Sequence, residues 1–345
     1  LQTNAPPTLI GRSPEGDQRI LLQDPTVSRH HASIHWNDNQ PRLIAHSRKS
    51  LTRVNNQTLQ AGQSRLLQDG DLVWIGRQIL TVFSSQANTV VSRSIVSVYS
   101  LGPLRVTIGD QEIQDGQWQG PLVKYLLALL CLHRPHCLSE HRLTNELWGE
   151  QDVSKKRLYN MISLLRQLLR SDHCPDPILK ETAGYRINPD LMLWHDLDEL
   201  QELMGVLGTN TEATTLNTVN SKGFVEDSLR LLQLYAGPYL ENSILGFAEI
   251  KRAELAMELT ECLVNLARRF FQSGDPVHSG RIAMKILEYD PLCGAAYLQL
   301  LESLTAAGKP HEVVRFYKVA KNRLQEVGLT TSSRLDLLYQ QALKH

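Results

Sequence analysis

Two groups of side chains in this 345-residue chain have the types and spacing for binding chemistry. The first lies near the N-terminus and comprises Gly11-Arg12, Ser28-Arg29-His30-His31, Ser50 and Val54-Asn55-Asn56. A phosphate monoester carrying close to two negative charges wants a guanidinium together with hydroxyl and backbone N–H donors. Arg12 and Arg29 offer the charge and Ser28 a hydroxyl. The second group lies between Asp152 and Asp172, where five basic residues and no acidic one occur: Lys155, Lys156, Arg157, Arg166 and Arg170. Wound into a helix over Val153–Arg170, this stretch gathers Leu158, Met161, Ile162, Leu165, Leu168 and Leu169 into one apolar stripe. The opposite face then carries Lys156, Tyr159, Asn160, Ser163, Arg166, Gln167 and Arg170. Cations for phosphates beside side chains that can hydrogen-bond base edges suit double-stranded DNA.

Other chemistry finds less support. Cys131, His133, His136, Cys137 and His141 crowd together, but their spacing lacks the paired ligands flanking a turn that structural zinc needs. Cys131 also falls inside an apolar helix. No GxxxxGK[ST], GxGxxG, HExxH or GxSxG pattern is present, so neither an enzyme nor a cofactor is expected. Lys plus Arg equals Asp plus Glu at 36 each, which excludes a histone-like coat of positive charge. With 42% apolar and 21% charged residues, the chain reads as globular, not disordered. The neutral total hides a gradient, with nine basic and six acidic residues over 1–88 against fifteen and nineteen over 191–345. The longest apolar run, Tyr125–Leu132, is far short of the roughly 20 residues that cross a bilayer. The N-terminus has no basic segment followed by an apolar one, so no signal peptide and no membrane association are expected. The missing initial Met suggests that the true beginning lies upstream. Five cysteines without framework spacing point to reduced thiols and a cytoplasmic protein.

Three segments with three periodicities must position these groups. Residues 1–88 alternate like β-structure, with short runs at Leu9–Ile10, Arg19–Leu22, Ala32–Trp36, Arg42–Ala45, Leu72–Ile75 and Ile79–Phe83 between turn clusters. That pattern predicts an all-β sandwich. Residues 89–94 read as linker. Residues 95–193 open with strands Ile95–Tyr99 and Leu104–Ile108, continue with helices Pro121–His133, Ser139–Trp148 and Val153–Arg170, and close on a hairpin around Gly184. This order is an α+β winged helix-turn-helix. Residues 194–345 read as all-α. Gly274-Asp275-Pro276 recurs 34 residues later as Gly308-Lys309-Pro310, each between two helices, the period of tetratricopeptide repeats. The threonine-rich stretch Gly208–Lys222 reads as a mobile loop whose Thr209, Thr211, Thr214, Thr215 and Thr218 a kinase could reach.

The first 85 residues or so resemble a forkhead-associated (FHA) domain, through Gly11-Arg12, Ser28-x-x-His31, Val54-Asn55 and Asp69-Gly70-Asp71…Ile75-Gly76. The resemblance implies a phosphothreonine site with Arg12 as main ligand, Ser28 and Arg29 beside it, and His31 supporting the loop. Ser50-Leu51-Thr52 stands where the family usually has Asn-Gly-Thr, so Ser50 replaces the asparagine that holds the peptide backbone. Leu101–Ile187 resembles the OmpR/PhoB-type winged helix, which implies that Val153–Arg170 enters the major groove and that Arg186 of the wing meets a phosphate or the minor groove. Trp148 is expected in the core, and Leu164 stands where relatives often carry Arg. Together with LYAGPYL at 234–240 and LQEVGL at 324–329, the chain beyond residue 97 resembles SARP/EmbR-type regulators with a bacterial transcriptional activation domain. EmbR-type relatives carry the phosphopeptide domain at the other end. The resulting expectation is a transcription regulator coupled to Ser/Thr kinase signalling, with DNA, a phosphothreonine protein (the kinase or its substrate) and RNA polymerase as partners, and room for a homodimer. The competing expectation is a phospho-dependent adaptor that binds no specific DNA.

Overall fold

The computed structural model describes residues 6–14, 18–22, 24, 26–37, 40–47, 50, 52–55, 57–68, 70–76, 78–82, 96–109, 111–149, 154–171, 174–208 and 222–344. The expected linker at 89–94 and the threonines at 209–218 lie outside them. The chain divides into two compact units, Leu1–Glu199 with Leu245–Phe247, and Leu200–Ile244 with Ala248–His345.

The first unit begins with nine short strands: β1 (Thr8–Gly11), β2 (Arg19–Leu21), β3 (Ala32–Asn37), β4 (Gln40–Ala45), β5 (Thr52–Val54), β6 (Gln57–Leu59), β7 (Ser64–Leu66), β8 (Leu72–Ile75) and β9 (Gln78–Thr81). They form two sheets, β2-β1-β3-β4-β7 and β6-β5-β8-β9. Alternating residues from both close one core around Ile10, Ala32, Leu43, Val54, Val73 and Ile75. Strands β5 to β7 were not legible as strands, because Thr-Arg-Val, Gln-Thr-Leu and Ser-Arg-Leu each hold a single apolar residue and show no alternation.

Three strands follow, β10 (Val96–Tyr99), β11 (Arg105–Ile108) and β12 (Gln111–Glu112), then helices α1 (Pro121–Leu132), α2 (Glu140–Trp148) and α3 (Lys155–Leu169). The hairpin β13 (Ile178–Glu181) and β14 (Gly184–Ile187) precedes β15 (Leu193–His195). Pro121 occupies the first turn of α1, where a missing N–H costs nothing. The helix is buried from Leu126 to Cys131 and serves as the pillar of this module. Ser139 and Ser154 cap α2 and α3 by accepting from the backbone N–H of Arg142 and Lys156. Each cap is worth about 1 kcal/mol. Strand β15, not expected from the sequence, runs parallel to β10 and completes the sheet β12-β11-β10-β15. Buried Asp196 then accepts from the backbone N–H groups of Ser100 and Leu101 at 2.8–2.9 Å, which clamps the end of β10.

Helix α4 (Asp196–Gly208) leads on to α5 (Lys222–Leu234), α6 (Gly246–Gln272), α7 (Pro276–Tyr289), α8 (Gly294–Ala306), α9 (Pro310–Glu326) and α10 (Ser333–Ala342). Pro276 and Pro310, 34 positions apart, each sit in a first helical turn, so the sequence repeat is a repeat of helix starts. Helices α7 to α10 pack against their neighbours in succession. Tyr297, Leu301, Val313, Tyr317 and Leu335 are buried between α8, α9 and α10. Arg252 of α6 donates to the carbonyl oxygens of Tyr239, Leu240 and Ser243 at 2.9–3.1 Å, fixing the turn after the LYAGPYL segment. Among the described residues no helix is long and apolar enough to cross a membrane.

Candidate functional site

The loops at one end of the N-terminal sandwich bring together four of the five residues expected there. Gly11 ends β1 against the Ser28–Arg29 backbone, with Arg12 N–H on Ser28 O at 2.9 Å and Ser13 N–H on Arg29 O at 3.2 Å. A Cβ at position 11 would lie 1.9 Å from the Arg29 carbonyl oxygen, so only glycine admits this approach. The Gly11-Arg12 pair therefore places the arginine beside Ser28. The side chains of Arg12 and Arg29 remain exposed, where a solvated phosphate can reach them. His31, fully buried, is the hub beneath. Its Nδ1 accepts the Ser28 N–H at 3.1 Å, and its carbonyl oxygen accepts the N–H groups of His46 and Ser47 at 2.9 Å. An accepting Nδ1 requires the neutral ring. Ser47 joins the loops from the other side: its Oγ lies 2.8 Å from Ser28 Oγ and accepts the Ser50 N–H at 3.0 Å. The sequence reading missed Ser47, whose only signal was its place in the polar run His46–Ser50.

Asn55 has a different task from the one expected. Its Nδ2 donates to Asp71 Oδ1 at 2.8 Å and its Oδ1 accepts the Leu72 N–H at 2.9 Å. Its own N–H bonds Leu72 O at 2.8 Å, with φ at 51°. One donor and one lone pair of the amide thus brace β5 on β8, so Asn55 holds the scaffold on which the loops sit.

A cluster of imidazoles lies beside these loops. Ser33 Oγ is 2.7 Å from His46 Nε2 and 2.9 Å from His35 Nε2. Burial first, then His35 and His30, pushes the His46 pKa below the usual histidine value.

Residues 8–76 match the FHA domain family. This segment is an FHA domain. FHA domains recognise phosphothreonine. Among solved structures the chain is similar to Mycobacterium tuberculosis EmbR in complex with a low affinity phosphopeptide, at 21% identity and a TM-score of 0.52. That likeness covers 73% of this chain but 65% of the EmbR chain, so this chain spans less than two thirds of it. It extends the agreement in fold well past the FHA domain. The FhaA FHA domain, solved with the intracellular domain of a second protein, is 33% identical over 20% of this chain and 71% of its own, with a TM-score of 0.18. The N-terminal FHA domain of S. cerevisiae Rad53p, solved with a phosphothreonine peptide, is 25% identical over 20% of this chain and 56% of its own, with a TM-score of 0.18. No curated protein matches the chain.

The second candidate surface is the outer face of α3. Leu158, Met161, Ile162, Leu165 and Leu169 are buried as expected, while Leu168 is half-buried. Lys155, Lys156, Arg157, Tyr159, Asn160, Ser163, Gln167 and Arg170 are exposed. Their surroundings divide them. Arg157 lies over the Trp148 ring at 5.4 Å, and Tyr159 donates its hydroxyl to Glu140 at 3.1 Å. Arg166, expected to hold a phosphate, instead donates Nε and NH2 to the Ile178 carbonyl oxygen at 2.8 and 2.6 Å and pairs with Asp176 at 2.9 Å. It ties α3 to β13. Arg170 likewise donates to the Pro175 carbonyl oxygen at 3.0 Å. In the hairpin, Arg186 pairs with Glu181 at 2.6 Å and Lys180 with Glu140 at 3.4 Å. Gly184 has φ at 139°, and a Cβ there would meet the Leu138 carbonyl oxygen at 1.9 Å, so the hairpin packs down on Leu138. Among the described residues no group of three or more His, Cys, Asp and Glu side chains is placed to hold a metal. Burial of Cys131 pushes its thiol pKa up to about 12.

Proposed function

We propose that this chain is a DNA-binding transcription regulator, acting as an activator, whose FHA domain couples it to Ser/Thr kinase signalling. The observation that carries the reading is the exposed row Lys155, Lys156, Arg157, Asn160, Ser163 and Gln167 on α3, with no carboxylate on that helix. The sheet, three helices and hairpin that present it have the order of a winged helix-turn-helix, with α3 as the recognition helix and β13–β14 as the wing. Lys155, Lys156 and Arg157 take phosphates at the start of that helix, while Asn160, Ser163 and Gln167 face base edges. The helical unit from α5 to α10 fits a repeat scaffold of the tetratricopeptide type that supports contact with RNA polymerase. EmbR binds a phosphopeptide, and the fold likeness supports a phosphothreonine protein as the input here. Such a protein would be a kinase or its substrate.

The adaptor reading draws its support from Lys180, Arg186, Arg166 and Arg170, all engaged within the chain. A salt titration by filter binding separates the two. Three phosphate contacts give a log–log slope of roughly −3 on duplex DNA. A slope near zero, or no retention at low salt, would leave the adaptor.

A further inference from the structure

Strand β8 reads Leu72-Val73-Trp74-Ile75. With side chains alternating between faces, Val73 and Ile75 enter the core of the FHA sandwich, so Trp74 points outward. An outward tryptophan on a two-sheet sandwich should be wet, yet Trp74 is only 4% exposed. Its cover comes from the next module. Met192, 5% exposed, and Trp194 pack on Trp74 and Leu72 as a small apolar cluster separate from the sandwich core. Trp194 is in turn held from behind, edge-on to Tyr99 of β10 at 5.2 Å and with its Nε1 donating to Glu199 at 2.9 Å.

The FHA side of this seam connects directly to the phosphothreonine loops. Arg53 stands opposite Trp74 across the β5–β8 pair, and its guanidinium lies 4.0 Å from the ring centroid. Arg53 Nε is buried without a hydrogen-bond partner among the described residues. The desolvation is felt, since burial and then the like charge of Arg134 lower the Arg53 pKa. Arg134 belongs to the second module and is paired with Asp198. Only two residues separate Arg53 from Ser50, whose N–H bonds the serine that also touches Ser28. A cation held by a ring and by little else is a contact that a small shift of β5 would alter.

We infer that the Trp74–Met192–Trp194 seam, with Arg53 laid over it, makes the FHA domain and the second module one cooperative body, so that a phosphothreonine captured by the Ser28 and Ser47–Ser50 loops changes the stability of strands β10 and β15. Coupling between sites needs a contiguous element that both bias, and β5 is that element here. The inference rests on the FHA site for its input but not on DNA binding.

Hydrogen exchange on the full chain, resolved by segment, tests it. Met192→Ala lies in the second module and should speed exchange in β5 and β8 at least fivefold, while Trp74→Ala should do the same in β10 and β15. Two variants on opposite sides keep the test alive if one fails to fold. Effects confined to the module that carries each substitution would overturn the seam. In a second arm, a degenerate peptide library bearing one phosphothreonine is added. Slower exchange in β5, β10 and β15 of the native chain, but in β5 alone of Met192→Ala, is the expected result. Protection of β5 without β10 and β15 in the native chain would overturn the coupling. Protection of neither would instead overturn phosphothreonine capture, and the substitutions would still decide the seam.

Discussion

The FHA loops and the outer face of α3 are both read from arginines, and the structure treats the two sets differently. In the FHA loops the backbone does the holding. Gly11, Ser28, Ser47 and buried His31 lock three loops through main-chain and hydroxyl contacts, and the side chain of Arg12 is left exposed. On α3 the arginines themselves do part of the holding. Arg166 supplies two donors to a strand carbonyl oxygen and Arg170 one to a loop carbonyl oxygen. An arginine set inside a spaced motif has its surroundings specified along with it. One in a charge run has only its sign specified, and five N–H donors make it an equally good tie for orphan carbonyl groups.

That contrast can be broken at Arg12 first. Arg12→Ala should cut phosphothreonine-peptide affinity by tenfold to a hundredfold, about 1.5–3 kcal/mol, with the melting temperature unchanged. Calorimetric titration that finds native affinity would remove Arg12 from the site. Asn160→Ala should come next. If it reads a base, its loss should cost about 1–3 kcal/mol at one operator position and leave the salt slope alone. A uniform loss on all sequences would make Asn160 a backbone contact. Arg166→Ala should behave in the opposite way. It strips a carbonyl group of its donors and should lower stability by about 1–3 kcal/mol, seen in denaturant unfolding, while the DNA salt slope stays put. A slope flattened by about one, with stability intact, would return Arg166 to the phosphate. The smallest effect concerns pH. His46 has a lower pKa folded than its ordinary 6.5, so the unfolded chain takes up the proton first. Stability should therefore be independent of this group above about 6.5 and should fall as pH drops below it. His46→Gln should flatten that shallow slope, and an identical acid limb in both proteins would acquit His46.

Legibility followed the length and regularity of each element. The helices α1 to α3 and α7 to α9 were visible within a few residues, because nine or more positions at a 3.6 period, bounded by Ser139, Pro121, Pro276 and Pro310, overdetermine a helix. Within the FHA domain the motif residues were legible while β5 to β7 were not. The meeting of the Arg12 and Ser28–Arg29 loops was legible in their spacing, whereas Asn55 and Ser47 show the limit of spacing. Spacing brought Asn55 near the loops, but Asp71 and Leu72 take up its amide. Ser47 carries no motif and became part of the site only through its distance from Ser28 and Ser50.

The sequence alone determined what is local. It set the helices α1 to α3 and α7 to α9 and the more apolar strands, put an arginine directly after Gly11, and made one helix face basic and free of carboxylates. Tertiary structure decided what each polar group faces. It buried Trp74 against Met192, spent Arg166 on the Ile178 carbonyl oxygen and ran β15 beside β10. Periodicity reports only the angle at which a side chain leaves its own element. The partner at the far end comes from another part of the chain, such as Met192 for Trp74, and no local pattern encodes that meeting.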